Sequence, residues 1–364
     1  MTLQLTDQQY MAEALAQARL GMFITTPNPR VGCVLVKEGQ IIGRGHTQPP
    51  GGNHAEIQAL ENARALGHDP QGATAYVTLE PCSHFGRTPP CANRLVKEGI
   101  TRVVSAMTDP NPAVAGKGLA ILSEAGITVQ NGLLESEATE INIGFFHRMR
   151  HGKPWVRLKT AVSLDNKTAL HNGQSQWITG AAARDDGHHW RARACAILTG
   201  IGTVKDDDPQ LTVRAIATPR QPIRIVLDSQ LDIDLNAKIL QGGQTWIATI
   251  TNHPEKMATL TSMGVEVILL PNKDGHVDLN ALMLELGKRQ INELHVEAGA
   301  RLNSALIRAR CVDELLVYIA PLLLGDARQM FDLPALDDLN NALKLRFHEV
   351  TQIGDDVRLL ARFQ

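Results

Sequence analysis

Aromatic side chains are scarce in this chain: Phe, Trp and Tyr make up only 4% of its 364 residues. Positive charge is not in excess either, with 36 Lys and Arg against 38 Asp and Glu and a formal net charge of −2. Both shortages argue against a nucleic-acid partner, whose phosphates need cations and whose bases need π faces. Cysteines number five, an odd and sparse set, so no disulfide framework of the kind that staples small secreted domains is expected. No apolar run reaches the roughly 18 residues of a membrane-crossing helix. The opening Met1-Thr2-Leu3-Gln4-Leu5-Thr6-Asp7 has no basic segment followed by an apolar one, which argues against a secretory leader. The expectation is a cytoplasmic protein with no membrane partner.

What the chain does have is enough apolar content, 43%, for a core in each of two domains, the natural division of this length. Periodicity and caps predict helices over 7–20, 54–66, 90–98 and 117–124, and strands over 31–37, 73–79 and 101–106. Strands alternating with helices imply an α/β domain. The basic stretch Phe146-His147-Arg148-Met149-Arg150-His151-Gly152-Lys153-Pro154 ends in Gly and Pro and is read as the boundary between domains 1–150 and 151–364. A second α/β series follows, with strands over 155–161, 194–198, 223–227, 246–250, 265–269, 293–296 and 314–320, and helices over 180–193, 279–289 and 300–310.

The first half carries a metal signature. His54-Ala55-Glu56 opens a predicted helix, Pro81-Cys82 follows a strand, and Cys91 comes nine positions later. One imidazole and two thiolates hold a zinc ion and leave its fourth position open for water, where a structural site would use four protein ligands. Glu56 sits beside the metal without having to bind it, as a carboxylate that moves protons from water to a leaving amine does. His-x-Glu with Pro-Cys is the pattern of zinc base deaminases. It departs from that pattern in one place: eight residues, Ser83-His84-Phe85-Gly86-Arg87-Thr88-Pro89-Pro90, stand where two usually separate the cysteines. Cys33, Cys195 and Cys311 lack such company and read as core; His188-His189 reads as structural.

The insert carries a resemblance. The run Thr78-Leu79-Glu80-Pro81-Cys82 through Cys91, with Pro27-Asn28-Pro29-Arg30-Val31-Gly32 and Gly51-Gly52-Asn53-His54-Ala55-Glu56, resembles the RibD family of bifunctional riboflavin-biosynthesis enzymes. In the second half, Lys159-Thr160-Ala161-Val162-Ser163-Leu164-Asp165, Ser175-Gln176-Trp177-Ile178-Thr179, Asp206-Asp207-Asp208-Pro209-Gln210-Leu211-Thr212-Val213-Arg214 and Val296-Glu297-Ala298-Gly299 are similar to its reductase domain. The resemblance implies a cytidine-deaminase-like three-layer domain followed by a dihydrofolate-reductase-like domain. It also implies deamination of a diaminopyrimidinone carrying ribosylamine 5-phosphate, then NADPH-dependent reduction of ribosyl to ribityl. Asn28, His46, His84, Arg87, Asp109 and Asn111 would line the deaminase pocket. Asn28 is held between two prolines, which restricts its backbone.

In the reductase half, the resemblance places substrate on Ser175, Arg191, Leu211, Arg214 and Glu297, with Arg191 and Arg214 able to clamp a phosphate. Cofactor falls on Ala161, Trp177, Thr203, Asp207 and Ser229. The run Gly299-Ala300-Arg301-Leu302-Asn303-Ser304-Ala305 follows a predicted strand and opens a helix, whose free amides suit the NADPH pyrophosphate. Thr199-Gly200-Ile201-Gly202-Thr203-Val204 also follows a strand, but Lys205 stands where a Gly-x-Gly-x-x-Gly fingerprint needs its last glycine, so a Rossmann domain is poorly supported. Lys159 and Asp207 both remain candidates for the proton donor or imine-stabilising group. A homodimer or larger homo-oligomer through the reductase domain is implied. Two rivals stay open: a tRNA or nucleobase deaminase with an unrelated C-terminal binding domain, and a zinc-stabilised scaffold without activity.

Overall fold

Thr6 caps the first helix, α1 (Asp7–Leu20), in a reciprocal box: its hydroxyl accepts from the Gln9 N–H, and the Gln9 side chain accepts from the Thr6 N–H. Next comes a hairpin, β1 (Gly32–Lys37) and β2 (Gln40–His46), turned at Glu38 and Gly39, both at positive φ, as a two-residue turn between twisted strands demands. Then follow α2 (Ala55–Ala65), β3 (Thr74–Val77), α3 (Cys91–Lys97), β4 (Arg102–Ser105), α4 (Lys117–Glu124), β5 (Thr128–Asn131), α5 (Glu135–Ile141) and α6 (Ile143–His151). In the computed structural model the described residues are 6–83, 90–111, 114–271 and 274–364. The chain divides into two units, Met1–His151 and Gly152–Gln364.

The first unit is a five-stranded sheet in the order β2-β1-β3-β4-β5, with β1 antiparallel to both neighbours and β3, β4 and β5 parallel. Alternation along β1 makes the layers. Val34 and Val36 pack with Tyr10, Met11 and Ala14 of α1, while Cys33 and Leu35 pack with Ala55, Ala59 and Leu60 of α2. The sheet is thus covered on both faces. Helix α2 lies directly on β2: a Cβ on Gly45 would stand 2.3 Å from the Ala55 carbonyl oxygen. Only glycine lets the start of α2, and with it His54, come this close to the sheet.

The second unit begins with β6 (Trp155–Ser163), β7 (Lys167–Ala169), α7 (Ala181–Arg193), β8 (Ala196–Gly200) and α8 (Ile201–Asp207). It continues through β9 (Ile223–Leu227), β10 (Thr245–Thr249), α9 (Pro254–Ser262), β11 (Val265–Leu269), α10 (Leu279–Lys288), β12 (Glu293–Glu297) and α11 (Ala300–Arg308). It closes with β13 (Glu314–Ala320), β14 (Arg328–Gln329), β15 (Leu345–Ile353) and β16 (Asp356–Phe363). Nine strands form one sheet, β11-β10-β9-β8-β12-β6-β13-β16-β15, parallel from β11 to β13 and ended by the antiparallel β16–β15 hairpin. Val156, Leu158, Leu294 and Val296 pack against α10 and α11 on one face. The residues between them, Arg157, Lys159, Glu293, His295 and Glu297, turn to the other face. There α7 supplies arginines rather than an apolar stripe: Arg193 pairs with Glu293, and buried Arg157 lies between Glu293 and Glu314. The sheet therefore carries an apolar layer on one side and, beneath α7, a layer of paired charges.

Three features add to the sequence reading. The basic stretch after Phe146 continues α6 through His151 before Gly152 turns at positive φ; its cations sit in the last helical turn, where they complement the negative end of the helix dipole. The glycines at 200 and 202 flank no long loop, because α8 starts at Ile201 and carries Thr203 and Asp207 on a helix. Strands β2, β5, β7, β14, β15 and β16 and helices α5, α6, α8 and α9 were not expected.

Candidate active sites

Three element starts converge in the first unit. His54 is the N-cap of α2, Cys82 follows the end of β3, and Cys91 is the first residue of α3. The His54 Nδ1 lies 3.6 Å from the Cys82 sulfur and 3.3 Å from the Cys91 sulfur, and all three donor atoms fall within 4.8 Å of one another. A tetrahedral zinc with ordinary Zn–S and Zn–N bonds requires N···S separations of about 3.6 Å, so this donor set fits that ion. The Cys91 N–H donates to the Cys82 sulfur at 3.3 Å. That bond, the Cys91 thiol and His54 together hold Cys82 well below the usual thiol range, with the thiol contributing most, and so favour the metal-binding thiolate.

Glu56 is buried in the first turn of α2 beside this triangle. Burial, reinforced by the Cys82 charge, pushes its carboxyl up to about 7. A cleft of about 230 Å³ opens over these groups and is walled by Asn28, Glu80, Asp109 and Asn111 as well. His46 ends β2, half-buried, and does not line that cleft. His84 and Arg87 lie outside the described residues.

The second unit holds a larger cleft of about 730 Å³. It gathers residues from distant segments: Lys159 and Ala161 of β6, Arg191 of α7, Thr203 and Asp207 of α8, and Glu297 with Gly299 and Ala300 at the β12–α11 junction. Ser175, Trp177, Leu211 and Arg214 line it from loops. Glu297 is its electrostatic centre. Its two oxygens take a bidentate grip from Arg191, at 2.5 and 2.9 Å, and the Lys159 amino group lies 3.7 Å away. Those cations hold Glu297 well below the carboxylate range against strong desolvation. Burial lowers Lys159, and Glu297 only partly restores it. Asp207 is raised by burial and then by Asp206.

Several expected residues take other positions. The Arg191 donors face Glu297 and the Thr212 carbonyl, and Arg214, the more exposed of the two, lines the same cleft. Asn303 and Ser304 are buried and brace the chain behind the cleft, Asn303 donating to the Ala298 carbonyl and Ser304 accepting from the Asp332 N–H. Leu302 packs beside Gly200. Arg301, Ala305 and Ser229 are outside the cleft lining. Lining residues that the sequence did not single out include Glu80 in the first cleft and Arg184 and Arg328 in the second. Glu80 had a signal, an acid inside the Pro-Cys motif. Arg328 had none, since it arrives on β14 from far along the chain.

Comparison with known proteins resolves the class. Residues 4–107 match the cytidine and deoxycytidylate deaminase zinc-binding region, and residues 154–359 match the RibD C-terminal domain. The chain is a two-domain enzyme that joins a zinc-binding deaminase to a reductase, and an unrelated C-terminal binding domain is not favoured. It is 49% identical to the riboflavin biosynthesis protein RibD of Escherichia coli (strain K12), over 97% of this chain and 98% of that one. It is 48% identical to the RibD of Haemophilus influenzae, over 97% and 96%. It belongs to the RibD family. Among solved structures, Acinetobacter baumannii RibD superposes with a TM-score of 0.90 at 43% identity, covering 98% of this chain and 99% of that one. A Thermotoga maritima protein described as a diaminohydroxyphosphoribosylaminopyrimidine deaminase/5-amino-6-(5-phosphoribosylamino)uracil reductase gives 0.88 at 32% identity, with coverage of 98% and 99%. Among the described residues no helix is long and apolar enough to cross a membrane.

Proposed function

We propose that residues 1–150 deaminate 2,5-diamino-6-ribosylamino-4(3H)-pyrimidinone 5′-phosphate and that residues 151–364 then reduce its ribosyl group, giving 5-amino-6-(5-phosphoribitylamino)uracil. The observation that carries this reading is the His54–Cys82–Cys91 triangle with Glu56 buried beside it. His54, Cys82 and Cys91 would hold one zinc ion, which supplies the acidity that activates water for hydrolysis. Glu56, raised toward neutrality, accepts the proton of the attacking water and delivers it to the departing amine, so ammonia leaves and a carbonyl remains. Asn28, Asp109 and Asn111 orient the pyrimidine, with His46, His84 and Arg87 as further donors.

In the reductase, NADPH supplies the hydride to the sugar C1. Its pyrophosphate would lie at the start of α11, against Gly299 and Ala300, with Ala161, Trp177, Thr203 and Asp207 along the rest of the cofactor. Ser175, Arg191, Leu211, Arg214 and Glu297 hold the substrate, Arg191 by fixing Glu297. Lys159 is favoured over Asp207 as the proton-donating group, because it is half-buried beside Glu297 and can lose its proton more readily than an exposed lysine. The product gains one hydride and one proton, the latter to the departing ring oxygen. The enzyme would work in the cytoplasm as a homo-oligomer through the reductase domain. The edge strand β15, with Phe347 67% and Val350 61% exposed, is the surface that supports this, since an apolar edge invites pairing. A coupled assay tests the whole reading. One phosphoribosyl diaminopyrimidine should release one ammonia and consume one NADPH, the ammonia first. NADPH consumption faster on the diamino compound than on its deaminated product would reverse the order.

A further inference from the structure

Glu80 is a buried carboxylate that no step above uses, and its charge is met by backbone. Its Oε2 accepts from the N–H groups of Asp109 at 3.1 Å and Gly116 at 2.9 Å; its Oε1 accepts from Gly118 at 2.7 Å and Leu119 at 3.4 Å. All four donors lie about thirty residues or more further along the chain. Charge-assisted bonds of this kind are stronger than neutral ones, and a buried N–H deprived of its acceptor is left with the full penalty of desolvation.

The place of this clasp matters more than its strength. Glu80 stands two residues before Cys82, and the segment it grips carries Asp109 and Asn111, which wall the same cleft. The Asp109 carboxylate in turn accepts from the Asn111 N–H at 2.8 Å, and the Asn111 carbonyl accepts from Val114 and Ala115 at 2.9 Å. On the far side of the clasp, a Cβ on Gly118 would stand 1.9 Å from the Pro81 carbonyl oxygen. The start of α4 is therefore pressed onto the backbone just before Cys82, and Glu80 ties both ends of the 109–118 stretch to the strand end that presents that ligand.

We infer that Glu80 is a positioning residue of the deaminase: it fixes the Asp109–Asn111 wall relative to Cys82 and thereby sets how the pyrimidine is held over the metal site. The inference rests on the proposed reading that Asp109 and Asn111 touch the substrate. Glu80→Gln keeps the shape and one acceptor oxygen, so only part of the clasp survives. In the full-length enzyme this variant should retain one zinc per chain and unchanged NADPH consumption on deaminated substrate. The KM for ammonia release should rise roughly ten-fold, as for the loss of one strong hydrogen bond, with kcat little changed. A general structural role would instead lower zinc content and kcat together, and that result, or an unchanged KM, overturns the inference. Asn111→Ala separates the two layers of the argument. A raised KM there with a normal KM in Glu80→Gln removes the clasp alone; a normal KM in Asn111→Ala removes the reading of the wall, and the inference with it. Should Glu80→Gln not fold, amide exchange in the wild-type enzyme decides: the Gly116 and Gly118 N–H groups should exchange as slowly as the interior of α4, and fast exchange at both overturns the clasp.

Discussion

The deaminase site and the reductase site are assembled by different physical means. In the first, every metal donor and the neighbouring carboxylate sit at the start of a helix or in the connection that follows a strand, within 38 positions of sequence. In the second, the central pair comes from strand register: Glu297 of β12 lies opposite Lys159 of β6 in a parallel ladder, and Arg191 descends on them from α7. A metal site restricts residue type, because only a few side chains bind zinc. A cleft built on register restricts position instead, and a charged residue at the right position looks in sequence like any other. The zinc site is also small and walled by backbone clasps, whereas the reductase cleft is three times larger and lined largely by loops.

The sharpest break of this contrast targets the carboxylate beside the metal. Glu56→Gln should bind zinc and fold normally but lose ammonia release by roughly 100-fold or more, as expected when a general acid–base group is removed. Reduction of deaminated substrate should continue at its wild-type rate, since every group in that cleft comes from the other unit. Ammonia release near the wild-type rate would show that Glu56 does not carry the proton. Loss of both activities would show that the two sites are not independent.

A smaller effect is expected at the glycine that precedes α11. A Cβ on Gly299 would meet nothing within 4 Å, and its backbone is extended at φ −80. Gly299→Val should therefore leave the fold intact while placing two methyl groups in the mouth of the cleft, where a pyrophosphate would approach the helix amides. The apparent KM for NADPH should rise several-fold, roughly in the range of one lost charge-assisted hydrogen bond, and ammonia release should not change. Normal NADPH titration of this variant would move the pyrophosphate elsewhere along the parallel strand ends, the β8–α8 junction first.

The same contrast explains what the sequence disclosed. His54, Glu56, Cys82 and Cys91 were legible because their chemistry is rare and their spacing sits on predicted element ends. The helix 7–20 and the strand over 265–269 were legible from caps and periodicity. The β15–β16 hairpin was not, although a two-residue Gly354-Asp355 connection joins two β-rich stretches, a signal that could have been read. Its strand β15 is largely exposed, with Leu345, Phe347 and Val350 facing outward, so no clean alternation of buried and polar residues marked it. The Arg191–Glu297 grip was hidden for another reason. Which acid an arginine meets depends on the pairing of strands and the seat of a helix, and neither is written in local pattern.

The smallest expected effect concerns stability in the deaminase unit, and it tests whether a surface tie there behaves as locally as its contacts. Asp7, in the first turn of α1, takes a fork from Arg102 of β4 at 2.6 and 3.0 Å and a hydrogen bond from the Tyr76 hydroxyl of β3 at 2.6 Å. The Arg102 hydrogen bond, then that of Tyr76, lowers Asp7 from its ordinary 3.8 to about 2. The folded-state pKa is depressed, so the folded state binds this proton less readily than the unfolded chain does. The stabilisation is therefore complete above about pH 4 and fades as pH falls toward 2. Both partners are about a third exposed, so screening by water reduces the benefit to about 1 kcal/mol or less. Asp7→Asn should lower the first unfolding transition of the full-length enzyme slightly at pH 7, and the gap from wild type should narrow as the pH drops below 4. A gap that stays constant from pH 7 to pH 3 would mean that Asp7 acts through packing at the helix start and not through its charge. A gap larger than about 2 kcal/mol would place the tie of α1 to the sheet among the principal supports of this unit, which an exposed ion pair is not expected to be.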